Sequence, residues 1–282
     1  MAPVARIRPT VLSILRIWPP GFLSAVTLAL VAWAALPVRA DSIDDIRGWS
    51  FTKSLPDNYK PYGFNVVDRA DRYPVRTGPS SLRFEVQPGD CSWQAGGWND
   101  CEHDRERHEL KAASWSGGEG WYQWSVYLPR DYPVIFPAKV ALGQFHQESG
   151  HVAWMFQNKD GGLAVDNQVQ GSTLHLKPIL SDADMRGHWS DILVHARWSA
   201  GKDGFFRVFV NGETMPRYAW SGPTQSAGKR VYFKFGIYRS YVSRRPGKAP
   251  AQVVYYDDVA AGSECEDAAT HFDCAQIRLA RQ

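Results

Sequence analysis

VYFKFGIYRS, residues 231–240, is the stretch whose reading decides the fold. Side chains of a strand alternate between two faces, so Tyr232, Lys234, Gly236 and Tyr238 share one face and Phe233, Phe235 and Ile237 the other. The second face is apolar and belongs to a core; the first is polar and reactive. Two earlier segments repeat the arrangement. In VALGQFH (140–146) Gln144 and His146 oppose Phe145, and in RERHELK (105–111) Arg105, Arg107 and Glu109 oppose Leu110. Together the three strands make a cationic, hydrogen-bonding surface with acid–base groups, which is what an enzyme of anionic polymers requires.

Outward from this stretch the chain keeps the same period. Ser81–Val86 alternates Leu82, Phe84 and Val86 against Arg83 and Glu85, and Trp121–Leu128 alternates Tyr122, Trp124, Val126 and Leu128 against Trp121, Gln123, Ser125 and Tyr127. Turn signals follow each run: NKDGG at 158–162, AGKDG at 200–204 and NGE at 211–213. No stretch of ten residues in 41–282 carries a clean 3.6-residue period, apart from an expected short helix around Ser42–Arg47. The pattern predicts an all-β sandwich or jelly roll in one domain, residues 41–282. Residues 88–104, PGDCSWQAGGWNDCEHD, read as a long loop able to fold over a cleft, and YVSRRPGKAP (241–250) as a basic flexible loop.

Residues 1–40 read as a secretory signal peptide: Arg6, Arg8 and Arg16, then the apolar run Phe22–Leu36, then Val38-Arg39-Ala40 before Asp41. Export places the protein outside the cell or in the periplasm, with no stable membrane association once the leader is cleaved. Of 32 Lys and Arg, four lie in 1–40, which holds no acid; 28 bases then face 29 acids, a net charge of −1. A near-neutral body excludes nucleic-acid binding by a broad basic surface, so affinity for a polyanion must come from a local cluster. The body is expected to be a monomer. The 12 Trp and 12 Tyr fit both a β core and sugar-stacking platforms, Trp93, Trp98, Trp115 and Trp154 being the candidates. Four Cys in an exported chain fit two disulfides; of three pairings, Cys91–Cys101 and Cys265–Cys274 each close a short polar loop. His103 and His271 lie near these Cys, but the spacing is unlike a compact zinc site, and no metal site is expected.

Taken together, Arg107-His108-Glu109-Leu110, Gln144-Phe145-His146 and Tyr232-Phe233-Lys234-Phe235-Gly236-Ile237-Tyr238 resemble the motifs of the jelly-roll polysaccharide lyases. The likeness extends to the alginate lyases with RSEL, Q-x-H and YFKAGxY strings, and more closely to the heparin lyase I and glucuronan lyase group with its KxGIYR string. It covers nearly all of residues 60–260. It implies a concanavalin-like β-jelly roll, two stacked, curved antiparallel sheets forming a cleft. It also implies that His146 and Tyr238 transfer protons, that Gln144 and Arg107 hold the uronate carboxylate, and that Lys234, Arg105 and Arg239 assist. His108 and Lys111 depart from the alginate lyase pattern, which favours glucuronan over alginate.

The chemistry asks for the same groups. β-Elimination removes the C5 proton of a 4-linked uronate, and that proton is acidic only when the adjacent carboxylate is neutralised. An Arg fork and a Gln amide are suitable donors, and a nearby cation lowers the pKa of a Tyr toward the phenolate. Elimination needs no redox or nucleotide cofactor; a structural calcium ion is compatible with the sequence. The expected activity is a polysaccharide lyase on β-1,4-glucuronan, with alginate and heparin or heparan as alternative substrates. A noncatalytic lectin-like module is the alternative of another class. A glycoside hydrolase would need two carboxylates about 5–10 Å apart, and the three strands offer only Glu109.

Overall fold

Backbone pairing carries the all-β prediction into three dimensions. The computed structural model describes residues 43–46, 49–115 and 118–280; the expected leader, 1–40, lies outside them. Among the described residues fifteen strands run in order: β1 (Ile43–Ile46), β2 (Trp49–Lys53), β3 (Phe64–Asp68), β4 (Ser80–Val86) and β5 (Arg105–Ala112). Next come β6 (Glu119–Tyr127), β7 (Lys139–Gln147), β8 (Val152–Lys159), β9 (Gly162–Asn167) and β10 (His175–Leu180). The last five are β11 (Trp189–Arg197), β12 (Phe205–Val210), β13 (Tyr218–Ser221), β14 (Val231–Ser240) and β15 (Gln252–Gly262). They form an eight-stranded sheet, β1-β2-β5-β14-β7-β8-β9-β10, and a seven-stranded sheet, β13-β12-β11-β6-β15-β4-β3. Every pairing within both sheets is antiparallel. This is the jelly roll.

The organising stretch is β14, at the middle of the larger sheet between β5 and β7. Phe233, Phe235 and Ile237 are buried together with Phe145, Leu110, Trp124 and Phe84 in one core between the sheets. Pairing places Lys234 beside Lys111 and Gln144, Tyr232 beside His146, and Tyr238 beside Arg107. Between Lys234 and Tyr238 the pairing with β7 slips by one residue. Gly236 sits in the slip at φ 128°, and a Cβ there would lie 2.4 Å from the His108 carbonyl oxygen, so no other residue fits. From the opposite sheet the buried Tyr256 hydroxyl reaches the carbonyls of Leu142 at 2.6 Å and Gly236 at 2.8 Å, bridging β7 and β14 where their own ladder is interrupted.

Two expectations change. The helix expected at 42–47 is instead strand β1, paired with β2; so short a helix gains little from its own hydrogen bonds, whereas the sheet edge supplies partners. The 241–250 loop is tied down: Tyr241 N–H donates to the Asp104 carbonyl at 3.1 Å, and Ser243 donates from N–H and Oγ to the Asp104 carboxylate at 2.9 and 2.8 Å. The C-terminal tail forms α2 (Cys265–Ala268) and α3 (Cys274–Leu279), following the one-turn α1 (Asp182–Met185). Both expected disulfides are present, Cys91–Cys101 and Cys265–Cys274.

Candidate active site

The polar faces of β5, β14 and β7 line a cleft of about 860 Å³. Among the described residues lining it are five cations (Arg105, Arg107, Lys111, Lys139 and Lys234) and two histidines, His146 and His151, and no Asp or Glu. Gln144, Tyr232, Tyr238 and Tyr241 complete its polar wall, and the 88–104 loop contributes Gln94, Gly97 and Trp98.

Beneath this surface lies a charge-balanced group. Glu109, fully buried, accepts from Lys234 Nζ at 2.8 Å, from Gln144 Nε2 at 2.6 Å and from Arg107 Nη1 at 3.4 Å. Arg107 donates through Nε and Nη2 to the two carboxylate oxygens of buried Asp100, 2.5 Å each. Two cations thus face two anions, and the orientation of Gln144 follows from Glu109, which can only accept. Glu109 is a buried partner of the cations rather than an acid in the cleft. The expected role of Arg107 changes accordingly: its fork is spent on Asp100, so it does not offer a free fork to a carboxylate. Its guanidinium instead lies 4.2 Å from the Tyr238 ring centre. Asp100 escaped the sequence reading because it lies in a loop, where alternation carries no signal; its position beside Cys101 was the only hint.

Tyr238 is held at its oxygen by Arg105, whose Nε donates to it at 3.0 Å. Arg105 is fixed in turn by donating through Nη1 to the carbonyls of His103 and Asp104. Lys234, expected to favour the phenolate, lies 6.0 Å from the ring centre, so Arg105 is the cation at the oxygen. Burial raises the Tyr238 pKa, and the charges of Arg107 and then Arg105 offset this only in part, leaving a phenol at neutral pH. Burial, reinforced by the Lys234 charge, lowers His146 to about 3, so its ring is neutral. His146 Nδ1 lies 2.9 Å from the Gln147 carbonyl and 3.2 Å from the Tyr232 hydroxyl. A carbonyl only accepts, so the contact with Gln147 places the proton on Nδ1 and leaves Nε2 as the basic nitrogen. His146 pairs with Tyr232, and Ala141, five residues away on β7, pairs with Tyr238. At about 3.3 Å per residue, His146 and Tyr238 are rooted about 16 Å apart, wide enough for a sugar ring between their side chains.

One residue expected to assist, Arg239, and one expected to stack on sugar, Trp154, turn out otherwise. Arg239 follows Tyr238 by one position and so points between the sheets, where it is fully buried and donates to Gln252, Glu106 and the carbonyls of Val86 and Pro250. Trp154 is fully buried and stacks on Phe206 at 4.0 Å, a core residue rather than a sugar platform. Trp93 is partly exposed but is not among the cleft-lining residues; its backbone bridges Asp57 and Asn99. Trp98 does line the cleft, 45% exposed, with His103 stacked on its ring at 4.0 Å and Asp100 accepting from its N–H. Among the described residues no group of three or more His, Cys, Asp or Glu is placed to hold a metal ion.

Two curved sheets with an acid-free, cation-rich cleft holding a Tyr and a neutral His define a jelly-roll protein built to take an anionic saccharide. A family model described as polysaccharide lyase matches residues 46–260, and the chain belongs to that family. It is a carbon–oxygen lyase acting on uronate polymers by β-elimination. Its fold is similar to that of the endo-β-1,4-glucuronan lyase of the fungus Trichoderma reesei (TM-score 0.56, 17% identity, 74% of this chain and 91% of that one). It is also similar to the family 7 alginate lyase AlgAT5 (0.52, 18%, 75% and 93%) and to alginate lyase A1-II' (0.50, 14%, 76% and 94%). No curated protein matches the chain in sequence.

Proposed function

We propose that the substrate is a contiguous 4-linked polyuronate, alginate ahead of glucuronan, cleaved between His146 and Tyr238. The observation that carries this reading is the cleft itself, which among the described residues combines five cations, His146 and Tyr238 with no lining carboxylate. That composition suits an anionic chain and lacks the carboxylate pair of a hydrolase. The sequence arguments for glucuronan weaken at two residues. His108, the departure from the alginate lyase string, is fully buried between the sheets, its Nδ1 2.6 Å from the Glu85 carbonyl, and Arg239 of the KFGIYR string is buried on the same side. Neither residue touches the cleft, so neither reports on the sugar. Lys111 does line it. Of the three similar structures, two are named for alginate and one for glucuronan; the glucuronan lyase keeps that polymer as the second reading.

In this mechanism the second amide N–H of Gln144 and the remaining protons of Lys234 meet the carboxylate of the sugar to be cleaved. Neutral His146 takes the C5 proton, the electron pair forms the C4–C5 double bond, and the C4–O bond breaks. Tyr238, a phenol held by Arg105, gives its proton to the leaving oxygen. Base and acid on opposite sides suit a guluronate, whose C5 proton and C4 oxygen lie on opposite faces. Incubation with polyguluronate, polymannuronate and glucuronan, followed by the ultraviolet absorbance of the unsaturated uronate, tests the proposal. Absorbance is expected to grow fastest on polyguluronate and to fall at least a hundredfold for Tyr238→Phe, in the range removal of an acid–base group costs. Growth on glucuronan alone transfers the assignment to that polymer, and full turnover by Tyr238→Phe removes the tyrosine from proton transfer.

A further inference from the structure

At the Tyr238 end of the cleft the charges are not balanced as they are beneath it. Tyr241, in a left-handed turn at φ 58°, carries the Arg105 guanidinium 4.1 Å from its ring centre, that of Arg244 at 3.9 Å and Lys139 Nζ at 5.9 Å. Arg105 and Arg244 thus both pack against the one ring. Among the described residues no carboxylate lies within ion-pair distance of any of the three, whereas the buried cations Arg107, Lys234 and Arg239 each have one. The carboxylate of Asp104, which precedes Arg105, is engaged by Ser243. Gathering three like charges around one ring raises their mutual repulsion, which an anion would relieve. The ring holds the two guanidinium groups in place through cation–π contact. Arg105 belongs to both groupings, touching the Tyr238 oxygen with Nε and lying over Tyr241, so this positive end lies directly beside the reacting bond.

We propose that Arg105, Lys139 and Arg244 around Tyr241 form a second anion site, which takes the carboxylate of the sugar next to the one being cleaved. The site rests on the polyuronate reading and deepens it: the enzyme reads two consecutive uronates, so a chain alternating uronate with neutral sugar fits poorly. Lys139 and Arg244 are not fully buried, and their loss leaves the core intact.

The test is calorimetric binding of alginate and glucuronan tetrasaccharides, native and with carboxyls reduced to alcohols, to Tyr238→Phe protein with and without Lys139→Ala and Arg244→Ala together. The double change is expected to weaken the native ligand at least tenfold, to leave the reduced one within twofold, and to flatten the salt dependence of Kd. With Tyr238 intact, KM rises while kcat changes less than twofold. Arg207→Ala, on the other sheet against Phe205, removes one charge and is expected to change nothing. A native ligand weakened less than twofold overturns the site, as does an equal loss for the reduced ligand. A sulfated heparin-type tetrasaccharide that binds more tightly than the uronates through the same two cations overturns the assignment to carboxylate. Binding that depends on Lys139 and Arg244 in a protein that cleaves neither alginate nor glucuronan leaves the site standing and sinks the proposed substrates; cleavage indifferent to both does the reverse.

Discussion

Lys234 shows how one proton sets the working charge of the site. Burial lowers its pKa to about 8, the charge of Glu109 opposing the shift only in part. Below that value Arg107 and Lys234 balance Asp100 and Glu109. Above it Lys234 is neutral, the group carries one net negative charge, and a substrate carboxylate is repelled where it should be neutralised. We therefore expect kcat/KM to fall as pH rises through about 8, and Lys234→Arg, charged to much higher pH, to lack that fall; a pH–rate profile of the two proteins checks it. An unchanged alkaline limb in the variant would assign that limb elsewhere. His146 acts in the other direction. Its folded pKa of about 3 lies below the ordinary 6.5, so between these values the unfolded chain binds more protons and stability declines as pH falls. The base form nonetheless persists throughout that window, and no loss of activity near pH 6.5 is expected from this residue. The parity of strand residues made Lys234, His146, Gln144 and Tyr238 legible before any coordinates. Parity also held the corrections: Trp154 shares a face with Phe156, and Arg239 with Phe235 and Ile237, so both belonged inside. Asp100 and Tyr241 were not legible, because a loop residue has no face until the chain around it is placed.

At the scale of elements, β14 works because it is irregular. A strand in perfect register with β7 would continue the ladder past Lys234; the extra residue at Gly236 changes the pairing there, so that Tyr238 lies beside Ala141. Gly236→Ala meets both the positive φ and the backbone of β5 at 2.4 Å. Strain of this kind costs about 1–3 kcal/mol, with overpacking adding a similar amount, and the clash falls on the strand that carries Arg107 and Glu109. Denaturant unfolding is expected to show a loss above about 3 kcal/mol by these figures, and kcat to fall even where the protein remains folded. Tyr256→Phe, which removes only the hydroxyl bridging Leu142 and Gly236, should be milder, about 1 kcal/mol. A Gly236→Ala protein of native stability and rate would show that the slip is dispensable. The strands themselves were readable from alternation and turns, except β1, β2 and β13, short segments at or next to a sheet edge with too few residues to establish a period.

Across the whole molecule the two sheets divide catalysis from support, and the two disulfides allow the division to be measured. Cys265–Cys274 pins α2 and α3 over Trp121, Leu193 and Phe209, a second apolar cluster on the outer side of the smaller sheet. Cys91–Cys101 closes the loop that holds Asp100 against Arg107 and brings Trp98 to the cleft. The closed loops are nearly equal, with separations of 9 and 10 residues, so chain entropy assigns each bridge a similar stabilisation, roughly 2–3 kcal/mol. Their effects on turnover should nevertheless differ. When the Asp100 loop is loosened, Arg107 is left as a buried charge with a less certain partner, a situation that costs about 3–5 kcal/mol when the partner is lost outright. Arg107 and Tyr238 are then free to shift. With both Cys of one bridge replaced by Ser, both variants should lose Tm, the Cys91/Cys101 variant more because its loop also carries the partner of buried Arg107. Assayed well below either unfolding transition, the Cys265/Cys274 variant should keep its kcat within twofold, while the Cys91/Cys101 variant loses an order of magnitude or more. Equal losses of turnover would mean that the smaller sheet and its C-terminal helices shape the cleft as much as the loop does, and that the division of labour is wrong.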